Sequence, residues 1–171
     1  MEGSLVSGTK EGAPGAKQNK GHVTGVFDSE GIIHHEYAPN GQTINKEFYL
    51  EVLRRLLASV RRKRPEKWTL HHDNAPAHTS HLVQQFLAKQ GTAQLQQPPY
   101  SPDLAPCDFF LYPRLKKVLK GHWFEATEDI KRNSMKTLLD IPKEEFAKCF
   151  QQWQKRWPKC VAGEGNYVED N

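Results

Sequence analysis

Trp68-Thr69-Leu70-His71-His72-Asp73-Asn74-Ala75-Pro76-Ala77-His78 is the stretch that decides the fold. Trp68 to His71 is a short, apolar and β-prone run, and Asn74-Ala75-Pro76 is a turn from which a helix can start near Ala75 to His78. Asp73 therefore stands where a strand ends and a helix takes over, the place where α/β folds hold ligands. Downstream, Pro99-Tyr100-Ser101-Pro102-Asp103-Leu104-Ala105-Pro106-Cys107-Asp108 carries a second such carboxylate, with 34 residues between Asp73 and Asp108. Its prolines, with Pro98, forbid regular helix or a central strand, and the apolar Phe109-Phe110-Leu111-Tyr112 follows. A loop this stiff holds a carboxylate with little entropy left to lose.

On local pattern alone, Asp73 and Asp108 read equally as helix caps, since Asp is a preferred capping residue. The other reading is metal ligation. Mg²⁺ takes oxygen ligands, keeps some of its waters, and is commonly held by a few carboxylates together with a substrate phosphate. Paired ions about 4 Å apart activate the attacking and leaving oxygens of a phosphodiester displacement. Two carboxylates fall short of what such a pair normally needs. Asp103 reads as a turn former, and His72 and His78 as structural or supporting groups.

Both phrases resemble the surroundings of the second and third catalytic aspartates of the mariner family of DNA transposases, in the Tc1/mariner superfamily. Further matches are Phe27-Asp28-Ser29-Glu30-Gly31-Ile32-Ile33-His34-His35-Glu36, Pro39-Asn40-Gly41-Gln42-Thr43, Lys63-Arg64-Pro65-Glu66, Lys120-Gly121 and Arg156-Trp157-Pro158-Lys159-Cys160. The resemblance runs from about Gly21 to the end of the chain. The same catalytic domain also occurs fused to a SET methyltransferase, but nothing in this sequence resembles a SET domain.

The resemblance implies an RNase H-like α/β fold, a mixed sheet flanked by helices, with Asp73 and Asp108 as catalytic, metal-binding residues and Mg²⁺ or Mn²⁺ as cofactor. It also implies a first aspartate on a central first strand, in a phrase like Gly-Asp-Glu-Lys-Trp, which this sequence lacks. Asp28 is no substitute, because it falls in the turn after the second strand. The expectation is thus a domain over residues 21–171 truncated at its N-terminus, with the first, central strand missing and two strand edges unpaired. Strand cleavage and transfer would be ancestral, leaving weak, non-specific DNA binding in the nucleus with little or no catalysis. The alternative is a non-enzymatic assembly module whose open edges pair with a second copy as a homodimer, or with another partner. No domain specific for transposon ends is expected in this chain.

Residues 1–20, rich in Gly, Lys and Ser without a patterned apolar run, read as a disordered tail and as neither signal nor transit peptide. With 171 residues, 37% of them hydrophobic, and a mean hydropathy of −0.75, there is chain for one core and no run of membrane-spanning length. Cys107, Cys149 and Cys160, an odd set without paired-ligand spacing, read as reduced thiols. His71, His72, His78 and His81 invite zinc, but thiol partners are absent.

The net charge of +4 and pI near 8.9 permit nucleic-acid contact without requiring it. Arg61, Arg62, Lys63 and Arg64, beside Arg54 and Arg55, can be a solvated face at a helix C-terminus, a phosphate contact or an import cluster. Lys116, Lys117 and Lys120 are better placed for phosphates by their position after Asp108.

Along the chain, His22 to Phe27 and Ile32 to Tyr37 read as a hairpin closed by Asp28 to Gly31. Thr43 is positioned to cap a helix from Ile44 to Arg62 with Phe48, Val52, Leu56 and Val60 on one face. A helix over Thr79 to Lys89 stops at Gly91, and a strand over Thr92 to Gln96 follows. A helix from the Asp108 region to Lys120 must kink or start late at Pro113. Thr127 can cap a helix through Leu139. In the last helix, with Pro142 in its first turn, Phe146, Cys149, Phe150, Trp153 and Trp157 form a core stripe that Pro158 should end early. The short link from Pro65 to Trp68 puts the register of the following strand in question.

Overall fold

A computed structural model describes residues 4–11, 22–39, 41–64, 67–119 and 127–163. Its strands are β1 (Ser4–Glu11), β2 (His22–Asp28), β3 (Gly31–Tyr37), β4 (Thr69–His72) and β5 (Ala93–Gln96). Its helices are α1 (Lys46–Lys63), α2 (Pro76–Thr79), α3 (His81–Lys89), α4 (Tyr112–Leu119), α5 (Thr127–Asp140) and α6 (Lys143–Ala162). A 3-10 turn, Pro102–Leu104, and a π turn, Cys107–Leu111, link β5 to α4.

The strands form one mixed sheet in the order β3-β2-β1-β4-β5. β1 corrects two expectations at once: the central position is filled, and part of the expected disordered tail fills it. β1 pairs antiparallel with β2, from Val6 opposite Phe27 to Glu11 opposite His22, and parallel with β4, from Ser4 opposite Thr69 to Ser7 opposite His72. Composition misled because the ordering force is tertiary. Two strands with unpaired edges recruit any segment able to extend, and Leu5 and Val6, each 1% exposed, fill the cores on opposite faces of the sheet. The remaining residues of the expected tail lie outside the described ones.

The hairpin forms as its sequence predicts. Asp28 Oδ1 accepts the backbone N–H groups of Glu30 and Gly31 at 2.8 and 3.1 Å, and Gly31, at φ +137°, takes a conformation open to glycine. β4 keeps an in-register parallel ladder with β5 as well, which settles the question raised by the short link.

One face of the sheet is covered by α1, α2 and α3, around Leu5, Val26, Tyr49, Val52, Leu56, Leu70 and Val83. Asn45, not Thr43, caps α1: its side chain accepts from Phe48 N at 2.8 Å, and the helix starts two residues later than expected. The buried stripe is Tyr49, Val52, Leu53, Leu56 and Val60, with Phe48 at its margin. Ser80 caps α3 and splits the expected Thr79 helix into α2 and α3.

The π turn, α4 and α6 cover the other face, where the rings of Phe27, Phe110, Phe146, Phe150 and Trp153 pack together beside Leu111. Gly25 lets the π turn approach closely, since a Cβ there would stand 3.0 Å from Leu111 Cδ2. Pro113 is accommodated at the second position of α4, after the widened turn, where its missing N–H matters least. Pro142 is the N-cap of α6 and not a first-turn residue. Pro158 does not end α6, which runs on to Ala162; an exposed proline in the closing turns removes one hydrogen bond without exposing a core residue. α5 begins at Thr127, whose capping role falls outside the described side chains, as do Lys120 and Gly121.

Candidate metal centre

Asp73 is the first residue beyond β4, and its geometry combines both readings of the sequence. Its Oδ1 accepts the Ala75 N–H at 3.0 Å, which makes a tight turn ahead of α2, and the same oxygen lies 2.6 Å from His78 Nδ1. Burial pushes this carboxyl up, but the hydrogen bond and charge of His78 and the Ala75 N–H outweigh it, and the net shift is downward. The ionised form is the one a cation needs.

His78 is fully buried, its ring 3.9 Å from that of Tyr49 and stacked at 5.5 Å on His72. His72 Nδ1 and the Tyr49 hydroxyl are 3.1 Å apart. Burial first, and then the neighbouring His78, lowers His72 to about 4, so it is a neutral packing group at ordinary pH. The two histidines thus support Asp73 as expected. Tyr49 was not legible as their partner, although its place at the head of the 49, 52, 56, 60 stripe is the signal that could have found it.

Asp108 is the second residue of the π turn, and its N–H donates to the Ala105 carbonyl at 2.8 Å. α6 fixes the Pro-dense loop ahead of it. Trp153 Nε1 donates to the Leu104 carbonyl at 2.9 Å, Arg156 Nη1 donates to the Asp103 carbonyl at 2.8 Å, and the Arg156 guanidinium covers the Phe109 ring at 4.0 Å. Asp103 is buried within the 3-10 turn, in keeping with a turn-forming role. Asn74 Nδ2 donates to the Gln97 carbonyl at 2.7 Å and ties the Asp73 turn to the start of the same loop.

Asp73 and Asp108 act on the same buried groups. Cys107 and Tyr112 are pushed well above their ordinary values, by burial first, and both carboxylates add to the shift of each. Both aspartates that the sequence singled out thus lie within electrostatic reach of Cys107 and Tyr112. Among the described residues no group of three or more His, Cys, Asp or Glu side chains is placed to hold a metal ion. On β1, Ser7 stands opposite His72 at the end of β4, and Gly8 follows it. Neither is a carboxylate. Two aspartates suit one hard cation that keeps its waters or takes a phosphate oxygen.

Three of the basic residues at the end of α1 make contacts within the fold. Arg64 is ion-paired with Asp28 at 2.6 Å and Glu30 at 2.8 Å, Lys63 Nζ donates to the Ile33 carbonyl at 2.9 Å, and Arg61 donates to Gln90 at 2.9 Å. These three brace α1 against the hairpin and α3; Arg61, Arg62 and Lys63 are exposed and Arg64 is half-buried. Lys116 and Lys117 are exposed on α4, directly after the turn that carries Asp108.

A central β1 between β2 and β4, with one aspartate at the tip of β4 and another on a turn packed against the sheet, is the RNase H-like arrangement of metal-dependent nucleases and transposases. A profile described as DDE superfamily endonuclease matches residues 22–131, and the chain belongs to that family. Its kinship there is with the mariner transposases. It is 32% identical over 149 residues to the Mariner Mos1 transposase of Drosophila mauritiana, covering 84% of this chain and 43% of that protein. It is 34% identical over 156 residues to the human Histone-lysine N-methyltransferase SETMAR, covering 86% of this chain and 22% of that protein. The chain spans less than half the length of either relative. The crystal structure of the catalytic domain of Mos1 mariner transposase superposes with a TM-score of 0.91 at 28% identity, over 98% of this chain and 84% of that one. The Mos1 catalytic domain with Raltegravir and Mn gives 0.90 at 28% identity, over 98% and 85%.

Proposed function

We propose that this domain is a transposase-derived DNA-binding module of the nucleus, with Asp73 and Asp108 able to hold one Mg²⁺ or Mn²⁺, and with strand cleavage lost. The observation that supports this reading is the β1 register, in which the residues beside the end of β4, Ser7 and Gly8, are not carboxylates. Such an ion would supply charge for a DNA phosphate. The chain's own residues do the rest: His78 and the Ala75 N–H orient Asp73, and the clamp of Trp153 and Arg156 on the Pro-dense loop holds Asp108. Relatives solved as Mos1 paired-end complexes support DNA as the partner. Lys116 and Lys117 are the phosphate contacts this geometry favours, and Arg62 can add to them; Arg61, Lys63 and Arg64 already contact acceptors of this chain. Lys120 is proposed with them on sequence position alone.

The assembly reading drew its support from two unpaired edges around a missing strand. β1 pairs on both sides and closes that gap.

Fluorescence anisotropy with random-sequence duplexes at stepped salt tests the proposal. Binding should be weak and indifferent to sequence, and its logarithm should fall linearly with that of the salt concentration. Replacing Lys116 or Lys117 by alanine should reduce that slope by about one each. No binding at about 50 mM salt contradicts the proposal.

A further inference from the structure

Tyr100 is the one described non-glycine residue with a positive φ, +54°, and its side chain is fully exposed. Left-handed backbone at a bulky residue is rare and persists only where its surroundings hold it. The surroundings here do so. Ser101 Oγ donates to the Pro99 carbonyl at 3.0 Å, Gln97 Nε2 donates to the Ser101 carbonyl, and Leu104 N donates to the same oxygen at 3.0 Å. Asn74, next to Asp73, anchors Gln97 in turn at 2.7 Å. A strained, braced loop tied to the metal-binding turn thus lifts an aromatic ring wholly into solvent.

Such a ring has no part in the core. Folding gains nothing from a fully exposed tyrosine, and a glycine would occupy this backbone without strain. The property that the tyrosine adds is an exposed π face on the loop tied to the Asp73 turn. Bases within an intact duplex are already stacked on both faces, so the matching partner is an unpaired base at a strand end, gap or single-stranded stretch.

We infer that Tyr100 is a stacking platform for an unpaired base of DNA, carried on the loop that Asn74 ties to the Asp73 turn. The inference rests on the DNA-binding reading and narrows its substrate class to DNA with single-stranded character.

The test uses the full chain and a duplex with a short 3′ or 5′ overhang carrying 2-aminopurine, whose fluorescence is quenched by stacking. Wild type should bind the overhang substrate more tightly than the blunt duplex and quench the probe. Tyr100→Ala should lose the quenching and bind about tenfold more weakly, whereas Tyr100→Trp should retain both. Tyr100→Gly should melt no lower than wild type while losing the quenching, which separates the ring's role from folding. Equal overhang affinity and quenching in wild type and Tyr100→Ala overturns the inference but leaves DNA binding intact. No binding of either substrate by wild type overturns both. A concentration-dependent dimer abolished by Tyr100→Ala, with no quenching, assigns the ring to a second copy and overturns the inference as well.

Discussion

The His78 imidazole holds the Asp73 carboxylate through an Nδ1 to Oδ1 contact of 2.6 Å, while its ring is sealed between Tyr49 and His72. Five residues apart in sequence, the two are joined by the turn that Pro76 initiates. His78→Ala should remove a buried ring and the side-chain hydrogen-bond partner of Asp73 in one step. The expected loss is about 2–4 kcal/mol in urea unfolding, together with weaker Mn²⁺ binding in calorimetry. Unchanged metal affinity in a folded variant contradicts the supporting role.

β1 should be as much a part of the core as the strands beside it. Leu5→Ala or Val6→Ala should each cost about 1–4 kcal/mol, because both side chains are buried within the described core on opposite faces. A disordered tail would tolerate either change with no shift in melting temperature.

The close approach of the π turn to the sheet makes a coupled pair of Gly25 and Leu111. Gly25→Ala should destabilise by about 1–3 kcal/mol, since the new Cβ would stand 3.0 Å from Leu111 Cδ2. Adding Leu111→Ala should recover part of that loss in a double-mutant cycle. Additive losses would mean that the contact is relieved elsewhere.

Glu36 predicts an acid limb. Burial raises this carboxyl, but hydrogen bonds from His34 and Arg55 and the Arg55 charge bring it down to about 2. A lowered folded-state value means that its stabilisation is complete above the unfolded value near 4.5 and is lost as pH falls toward 2. Glu36→Gln should flatten that window, and because Arg55 is half exposed the effect should be about 1–2 kcal/mol. An unchanged slope of stability against pH contradicts the assignment.

How much of this was legible in the sequence follows from where the information is local. The Asp28 turn, the Asp73 strand end, the Pro-dense loop and the α6 stripe depend on neighbours within a few residues, and each stands where the sequence put it. β1 was hidden because Ser4 to Glu11 has little strand character of its own; the edges of β2 and β4 impose it. Arg61, Lys63 and Arg64 read as a free basic face because their acceptors, Gln90, the Ile33 carbonyl and Asp28, lie about thirty residues away. Pro158 looked like a helix stop because a proline rule weighs one lost hydrogen bond, whereas α6 is held by Trp153 and Phe150 against the sheet.

The measurement that bears most directly on the central claim is nicking of supercoiled DNA in Mg²⁺ or Mn²⁺ by the purified chain beside Asp73→Ala and Asp108→Ala. A site with two carboxylates, and with Ser7 and Gly8 level with the end of β4, should give no nicking above that of the two variants. Nicking by the parent chain that either substitution abolishes would mean that another group completes the site, and the claim that cleavage has been lost would be wrong.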